Sequence, residues 1–514
     1  MSPETTLVPE KSLSHMVITF GVMLATVIQA LDITIANVAL THIQGSLAAT
    51  QDQMTWVLTS YIVAAAITIP LVGWLAGYCG RKLIFLISIA LFTLASILCG
   101  MAETLFEMVL FRFLQGVGGA ALVPMSQAVL LDINSRENFG KAMALWGIGV
   151  TLGPILGPAL GGWLTDYYNW RWVFYINVPL GFIAFLSLYL FLPESPTRKS
   201  HFDLLGFLSL SLGLGALQMV LDRGELKDWF NSPEIIIETL MMGLGFYLFI
   251  MHTLSYTKNP FLNPLLFKDR NFMVSNILMF VVGVVLFSPL ALVPTMLQNQ
   301  LNYPVFTAGL VIAPRGFGIM IAMLLTGRLI GRMDIRGIMG IGLVITTISF
   351  KIMTYFSITM NAWIVIYSGF IQGLGIGLIY VPMNAVAFIT LSPTLRNEGT
   401  AFFNLIRYIG SSIGISVVQT LFIRNTQRVH SVLGEHIIPY SIDTNYAYIG
   451  NHIDISTSSG VAALNRMVTD QAAMIAYNDD YYLMMYISLA VIPLLFLLRL
   501  PKKDLVPDKP IAAE

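Results

Sequence analysis

The sequence predicts an all-α integral membrane protein of fourteen spanning helices. Two six-helix bundles flank an inserted pair. Three observations carry this. The 514-residue chain is 56% hydrophobic and only 11% charged, whereas a soluble domain carries ~25% charged residues. Fourteen apolar stretches are long enough to cross a hydrocarbon core of ~30 Å at ~1.5 Å per residue. Segments in the first part of the chain recur, in the same order, in the later part.

The spans run roughly 15–39, 54–76, 83–101, 105–131, 141–164, 172–192, 204–221, 235–255, 272–297, 307–330, 338–357, 362–390, 401–423 and 481–499. The first apolar run continues to full span length, so it reads as a helix and not as a cleaved signal. An even number of spans puts both termini on one side. Counted by alternate segments, eighteen Lys and Arg lie on the side of the termini and six on the other. The basic side is the cytoplasmic one. Arg112, Arg315, Lys351 and Arg407 fall inside spans. Net charge is zero, from 28 basic and 28 acidic residues, so no nucleic acid or other polyanion is expected as a partner. Cys79 and Cys99 stand at opposite ends of one helix and cannot pair. The seven histidines show no ligand spacing, so neither a metal nor a cofactor is expected.

The halves repeat. GWLAGYCGRK (73–82) answers GRLIGRMDIR (327–336), FLQGVGGAALVPM (113–125) answers FIQGLGIGLIYVPM (370–383), and SREN (135–138) answers LRNE (395–398). The offsets are 254, 257 and 260, so the repeat is parallel. Such repeats place a transport site at their interface near the midplane. The division is therefore an N-terminal bundle (1–192), an inserted pair with linkers (193–258), a C-terminal bundle (259–500) and a charged tail (501–514) that reads as disordered. The inserted pair reads as a lipid-facing spacer. The outward stretch 424–480 is too long for an idle loop. Within it Val461–Tyr477 is amphipathic at helical spacing, which suits a cap on the outer mouth or a docking site for an adaptor protein.

Buried ionisable groups in a span cost ~2.5–3.5 kcal/mol and ask for a reason. Asp32 is the acid placed deep in a span. Burial and a nearby cation push its protonation in opposite directions, which suits a carboxylate that loads and unloads a proton. Asp32 and an arginine as a purely structural pair is the other reading. The expected partner of Arg112 is Asp32 or a backbone carbonyl. Arg315 and Arg407 are the corresponding candidates in the second half. Gln29, Asn37, Gln115, Gln372, Asn384 and Asn404 could line a cavity or simply bond between helices. Lys351 sits near a span end and is expected to snorkel. One deep acid against three deep arginines favours neutral or weakly acidic amphiphiles, such as uncouplers or hydrophobic antibiotics, over divalent organic cations.

The fifth span, ALWGIGVTLGPILGPALGGW (144–163), carries glycines at 149, 153, 157 and 161. This ridge without side chains lets another helix approach closely, and Pro154 and Pro158 bend it. The set Gly149, Gly153, Pro154, Gly157, Pro158, Gly161 and Gly162 resembles the antiporter motif of the major facilitator superfamily. Ala144 stands where that motif wants a further glycine. LDITIANVAL (31–40), WRWVFYINVPLG (170–181) and PRG (314–316) resemble signatures of its fourteen-span drug:proton antiporters, the EmrB/QacA type. The resemblance covers essentially the whole chain. It implies the major facilitator fold, with the 144–163 helix where the halves meet and move. It also implies multidrug efflux driven by a proton gradient through Asp32 and Arg112, in the inner membrane of a bacterium. In a two-membrane cell it implies a periplasmic adaptor and an outer-membrane channel as partners. Gly73, Gly80, Arg81 and Lys82 match the superfamily's cytoplasmic gating loop. Its usual acid falls on Gly77, which removes the expected gating salt bridge.

No HExxH or P-loop sequence is present, which argues against a zinc hydrolase or an ATP-driven pump. A channel would need no two-half repeat. The closest alternative is a proton-coupled importer or exporter of one metabolite on the same fold.

Overall fold

The computed structural model describes residues 12–49, 51–135, 138–195, 197, 201–255, 260–330, 332–392, 395–435 and 457–499. The tail 501–514 and the stretch 436–456 lie outside them. The helices are α1 (Leu13–Ser46), α2 (Gln51–Cys79), α3 (Arg81–Met101), α4 (Leu105–Gly119), α5 (Leu122–Ile133), α6 (Phe139–Tyr167), α7 (Trp172–Tyr175) and α8 (Asn177–Phe191) in the first half. The inserted pair is α9 (Leu204–Arg223) and α10 (Pro233–Ser255). The second half holds α11 (Arg270–Asn299), α12 (Val305–Leu329), α13 (Ile335–Met353), α14 (Ala362–Ile389), α15 (Arg396–Glu435) and α16 (Ser458–Ala490). Fourteen spans among the described residues are long and apolar enough to cross a membrane. Cys79 and Cys99 are both free.

Helix starts follow local chemistry. The first backbone N–H groups of a helix have no partner of their own, so a side chain supplies one. Thr104 and Glu107 form a reciprocal capping box at α4. Asp203, Asp269, Asp334 and Asn361 accept from the first turns of α9, α11, α13 and α14. The fourth span breaks between α4 and α5, beside Gly118 and Gly119. A Cβ at Gly118 would stand 2.6 Å from the Phe92 backbone nitrogen, so α3 packs there at backbone range.

The two halves meet along α6 against α12 and α14, and along α2 and α5 against α15. Trp146 stacks on Tyr380 across this seam, with centroids 5.9 Å apart. The two inserted helices differ. α9 packs on α2 and α15, and Gln218 Nε2 donates to Ser412 Oγ at 2.7 Å. Half of α9's membrane window is buried (50%), against 11% for α10. α10 therefore faces lipid, and α9 lies across the seam of the halves.

The stretch 424–480 differs from a loop carrying a separate helix. α15 is a 40-residue helix and α16 a 33-residue helix. Each exceeds the ~20 residues that a bilayer core requires. Neither contains a proline, so nothing stops the spans at the membrane edge. Val461–Tyr477 is continuous with the last span, and His430 Nε2 meets Asn465 Oδ1 at 3.0 Å between the two extensions. α16 ends just before Pro493, which opens a short 3-10 segment, Ile492–Leu497.

Candidate functional site

Asp32 on α1 is fully buried and forms an ion pair with Arg112 of α4 at 2.7 Å, Oδ2 to Nη1. The same guanidinium donates to Gln115 Oε1 at 2.7 Å and to the Val57 carbonyl at 3.2 Å. Its carbon lies 4.5 Å from the Tyr61 ring centroid and 5.8 Å from that of Phe174. The other carboxylate oxygen, Oδ1, accepts from Gln115 Nε2 at 2.7 Å and from Asn177 Nδ2 at 3.0 Å. Both amides also reach Ser96 Oγ. Desolvating two charges is repaid only where geometry is good and the remaining donors and acceptors are satisfied. Here each carboxylate oxygen has at least one donor. Arg112 stands two turns into α4 and Ser96 near the C-terminal end of α3. The group therefore lies nearer the face opposite the termini.

Arg112 takes both expected partners, Asp32 and a carbonyl. Gln115, expected as a cavity residue, belongs to this buried network instead. Ser96 and Asn177 were missed. Asn177 stood inside the quoted WRWVFYINVPLG stretch, as an amide where an apolar span should begin. Three more residues of that stretch make contacts. Trp170 Nε1 donates to Ser46 Oγ at 2.9 Å, Arg171 Nη1 donates to the Gly100 and Ala102 carbonyls at the end of α3, and Phe174 faces Arg112.

A second polar group joins the halves. Gln127 of α5 donates to Asn384 Oδ1 and accepts from Asn404 Nδ2, both at 2.8 Å. Arg407 donates to Asn404 Oδ1 at 3.3 Å. Gln29 donates to Tyr408 Oη at 2.9 Å, also across the seam. Asn384, Asn404 and Gln29 are thus interhelical ties. Gln127 was missed, although it is an isolated polar residue in an apolar span. Gln372 is fully buried, with no hydrogen-bond partner for either amide atom among the described residues. The side chains of Asn37, Pro154 and Pro158 lie outside the described residues. Lys351 is exposed and sits 4.8 Å from the Tyr355 ring and 4.9 Å from that of Tyr482, as a snorkelling lysine does.

Between α6, α11 and α12 lies a cavity lined by Val150, Thr151, Ile155, Leu286, Phe287, Leu290, Ile312, Arg315, Gly316 and Ile319. It straddles the two halves. Arg315 is its one charged lining residue. It donates to the Leu286 carbonyl at 2.7 Å, and its Nε is buried without a partner among the described residues.

The glycine ridge of α6 packs on α1. A Cβ at Gly153 would overlap the backbone of Ala30 and Leu31, and one at Gly157 would overlap Thr34 Oγ1. One at Gly149 would meet the Met23 methyl at 2.9 Å. Gly161 and Gly162 are buried in the same helix. Thr34 Oγ1 also donates to the Gly153 carbonyl at 3.1 Å. α6 therefore touches the Asp32 helix on one side and the second half on the other.

At the basic face Gly77 offers no acid, and a Cβ there would touch nothing within 4 Å. The salt bridge expected to be missing forms elsewhere. Arg81 pairs with Asp132 at the end of α5, and Arg396 of the second half pairs with the same carboxylate at 2.8 Å. Gly80, at φ +93°, makes the turn that presents Arg81. Lys82 lies 6.0 Å from the Tyr189 ring. A Cβ at Gly73 would stand 3.0 Å from Glu398 Cα of the second half. Asp132 was missed, although it lies beside the repeated SREN segment. Asp132→Asn is expected to loosen this tie. The measurement is thiol labelling of a cysteine placed at Ala76 or Leu131 in an otherwise cysteine-free chain. Labelling should rise several-fold in Asp132→Asn, since a partly exposed pair contributes ~1 kcal/mol. Unchanged labelling refutes the tie.

Comparison with known proteins agrees with this geometry. The family model of the Major Facilitator Superfamily matches residues 22–415. The chain is 33% identical over 471 residues to the multidrug export protein EmrB of Haemophilus influenzae, covering 91% of this chain and 92% of that one. It is 34% identical over 488 residues to the fatty acid resistance protein FarB of Neisseria gonorrhoeae, covering 94% and 96%. Among solved structures, the human organic anion transporter MFSD10 superposes with a TM-score of 0.58 at 13% identity, over 94% of this chain and 100% of that one. A xylose symporter, XylE, superposes equally well, with a TM-score of 0.58 at 13% identity over 94% of this chain and 99% of that one. The fold, the seam between two repeated halves and the similarity along nearly the whole length agree, and the chain belongs to the Major Facilitator Superfamily.

Proposed function

We propose that the chain is a proton-driven efflux pump for hydrophobic amphiphiles, neutral or weakly acidic, working by alternating access. The observation that carries the substrate class is the seam cavity. Its walls are largely apolar, and among the described residues its one charge is Arg315, a cation with an unused donor and no carboxylate in the lining. An apolar wall with one fixed donor recognises an oily body with an acceptor or anionic head. The names of relatives, multidrug export and fatty acid resistance proteins, support the same reading. Asp32, with Arg112 beside it, carries the proton. Protonation and substrate binding then bias one two-state element in opposite directions, which is what exchange requires. The basic side is cytoplasmic and the membrane is the bacterial inner one, which puts Asp32 toward the outer, proton-rich side. In a two-membrane cell a periplasmic adaptor and an outer-membrane channel complete the route, with the α15–α16 extensions on the side that would meet them.

The test is transport in proteoliposomes under an imposed pH gradient, with a weakly acidic dye and a quaternary ammonium dye. Gradient-driven movement of the acidic dye is expected. Arg315→Leu should weaken its apparent affinity about 10–100-fold, the value of a lost charge-assisted hydrogen bond. Export of quaternary cations alone would overturn the substrate class. Movement indifferent to the gradient would overturn the coupling.

A further inference from the structure

Asp32 accepts from one amide whose bonding is incomplete. Asn177 is fully buried at the first position of α8. Its Nδ2 donates to Asp32 Oδ1 at 3.0 Å and to Ser96 Oγ at 3.3 Å. Its Oδ1 is buried with no hydrogen-bond partner among the described residues. Gln115 touches the same carboxylate oxygen, but its own Oε1 is taken by Arg112 at 2.7 Å. Of the two amides on Asp32, only Asn177 holds a free acceptor.

That asymmetry matters when the carboxylate changes state. Ionised Asp32 accepts only, so an amide N–H facing it is satisfied. Protonated Asp32 gains an O–H donor, and a donor buried away from water needs an acceptor. A half-turn of the Asn177 amide about its last torsion exchanges Nδ2 for Oδ1 and supplies that acceptor. The twofold character of this torsion gives both orientations similar local geometry. Besides Asp32, Arg112 has the Val57 carbonyl and Gln115 Oε1 as acceptors.

We propose that Asn177 is an amide switch that positions Asp32 for both of its protonation states. It donates to the carboxylate and accepts from the carboxylic acid. The proposal rests on the reading that Asp32 carries the proton. The proton adds to Asp32 Oδ1 from the outer aqueous side and leaves the same atom to water on the cytoplasmic side after access changes, and Asn177 neither gains nor loses one. The other titratable or charged groups facing Asp32 are Arg112 on α4, Tyr61 on α2, Cys99 on α3 and Tyr408 on α15. The α6 glycines that pack on α1 beside it carry no titratable group. Asn177 thus faces Asp32 as a neutral group able to reverse its role.

The experiment is pH-difference infrared spectroscopy on the full chain in lipid, with transport measured in parallel. Wild type should show a carboxylic C=O band, absent in Asp32→Asn. It should also show a side-chain amide band with the same pH midpoint, absent in both Asp32→Asn and Asn177→Leu. Gradient-driven transport should fall about tenfold in Asn177→Leu, the equivalent of one buried hydrogen bond. Asn177→Ser, whose hydroxyl can both donate and accept, should restore coupling. This keeps the test meaningful if the leucine variant folds poorly. A titrating Asp32 band without a coupled amide band overturns the switch and leaves proton carriage by Asp32 standing. The absence of any Asp32 band in folded wild type overturns both.

Discussion

Asp32→Asn is expected to abolish exchange while leaving substrate binding in place. Asparagine keeps the shape of the side chain and one acceptor for the surrounding donors, but it cannot take up a proton in the working range. In a coupled exchanger the proton and the substrate each change the other's affinity, by a factor that is typically ~5–150. In the wild type, substrate affinity should therefore vary with pH by such a factor. In Asp32→Asn the factor should collapse to one, and gradient-driven movement should cease. The measurement is a binding isotherm across pH, beside transport in proteoliposomes. Arg112 loses its counter-ion in this variant, and breaking a buried pair costs ~3–5 kcal/mol. Thermal melting must therefore accompany the assay, and Asp32→Glu is the companion variant that restores both charge and proton. Coupled transport undiminished in Asp32→Asn would make the pair with Arg112 structural only.

The second large effect concerns the glycines of α6, and the structure gives it a graded order. At Gly153 a methyl would collide with the main chain of Ala30 and Leu31, immediately before Asp32. Backbone cannot rotate aside, so α1 must move and take the carboxylate with it. At Gly157 the obstacle is the Thr34 side chain, and at Gly149 the end of the flexible Met23. At Gly77 there is no obstacle within 4 Å. Alanine should therefore be most harmful at 153, less so at 157, mild at 149 and silent at 77. Overpacking typically costs ~1–3 kcal/mol, and Gly153→Val should reach or exceed the top of that range. Melting temperature and transport in the same preparation check it. Equal effects at 153 and 77 would show that the ridge is not where α1 and α6 are held together.

These expectations rest on different kinds of information. The number of spans, the two-half repeat and the bias of basic residues to one side were legible in the sequence. Each depends on a solvent preference that is local along the chain: lipid accepts apolar stretches and repels charge wherever they occur. Asp32 and Arg112 were legible for the same reason, since a charge within an apolar span is conspicuous by itself. Their pairing needed only one acid among the deep cations. The partners that complete the site were not legible. Asn177 is 145 positions from Asp32, and Gln127 is 277 from Asn404. A neutral amide in a span carries no mark of what it faces, because helix packing decides that.

The ion pairs at the basic face show the limit most plainly. The sequence placed glycine where an acid was wanted, and it could not reveal that Asp132, 51 residues after Arg81, faces the same arginine and Arg396 as well. The stretch 424–480 shows it differently. Its amphipathic spacing was visible, but continuity with the last span depends on how α15 and α16 lie together beyond the membrane. Sequence alone determined what must be buried in lipid and which charges were out of place there. Tertiary structure decided which groups satisfy one another, because hydrogen bonds and ion pairs act over ~3 Å between helices that the chain brings together only when folded.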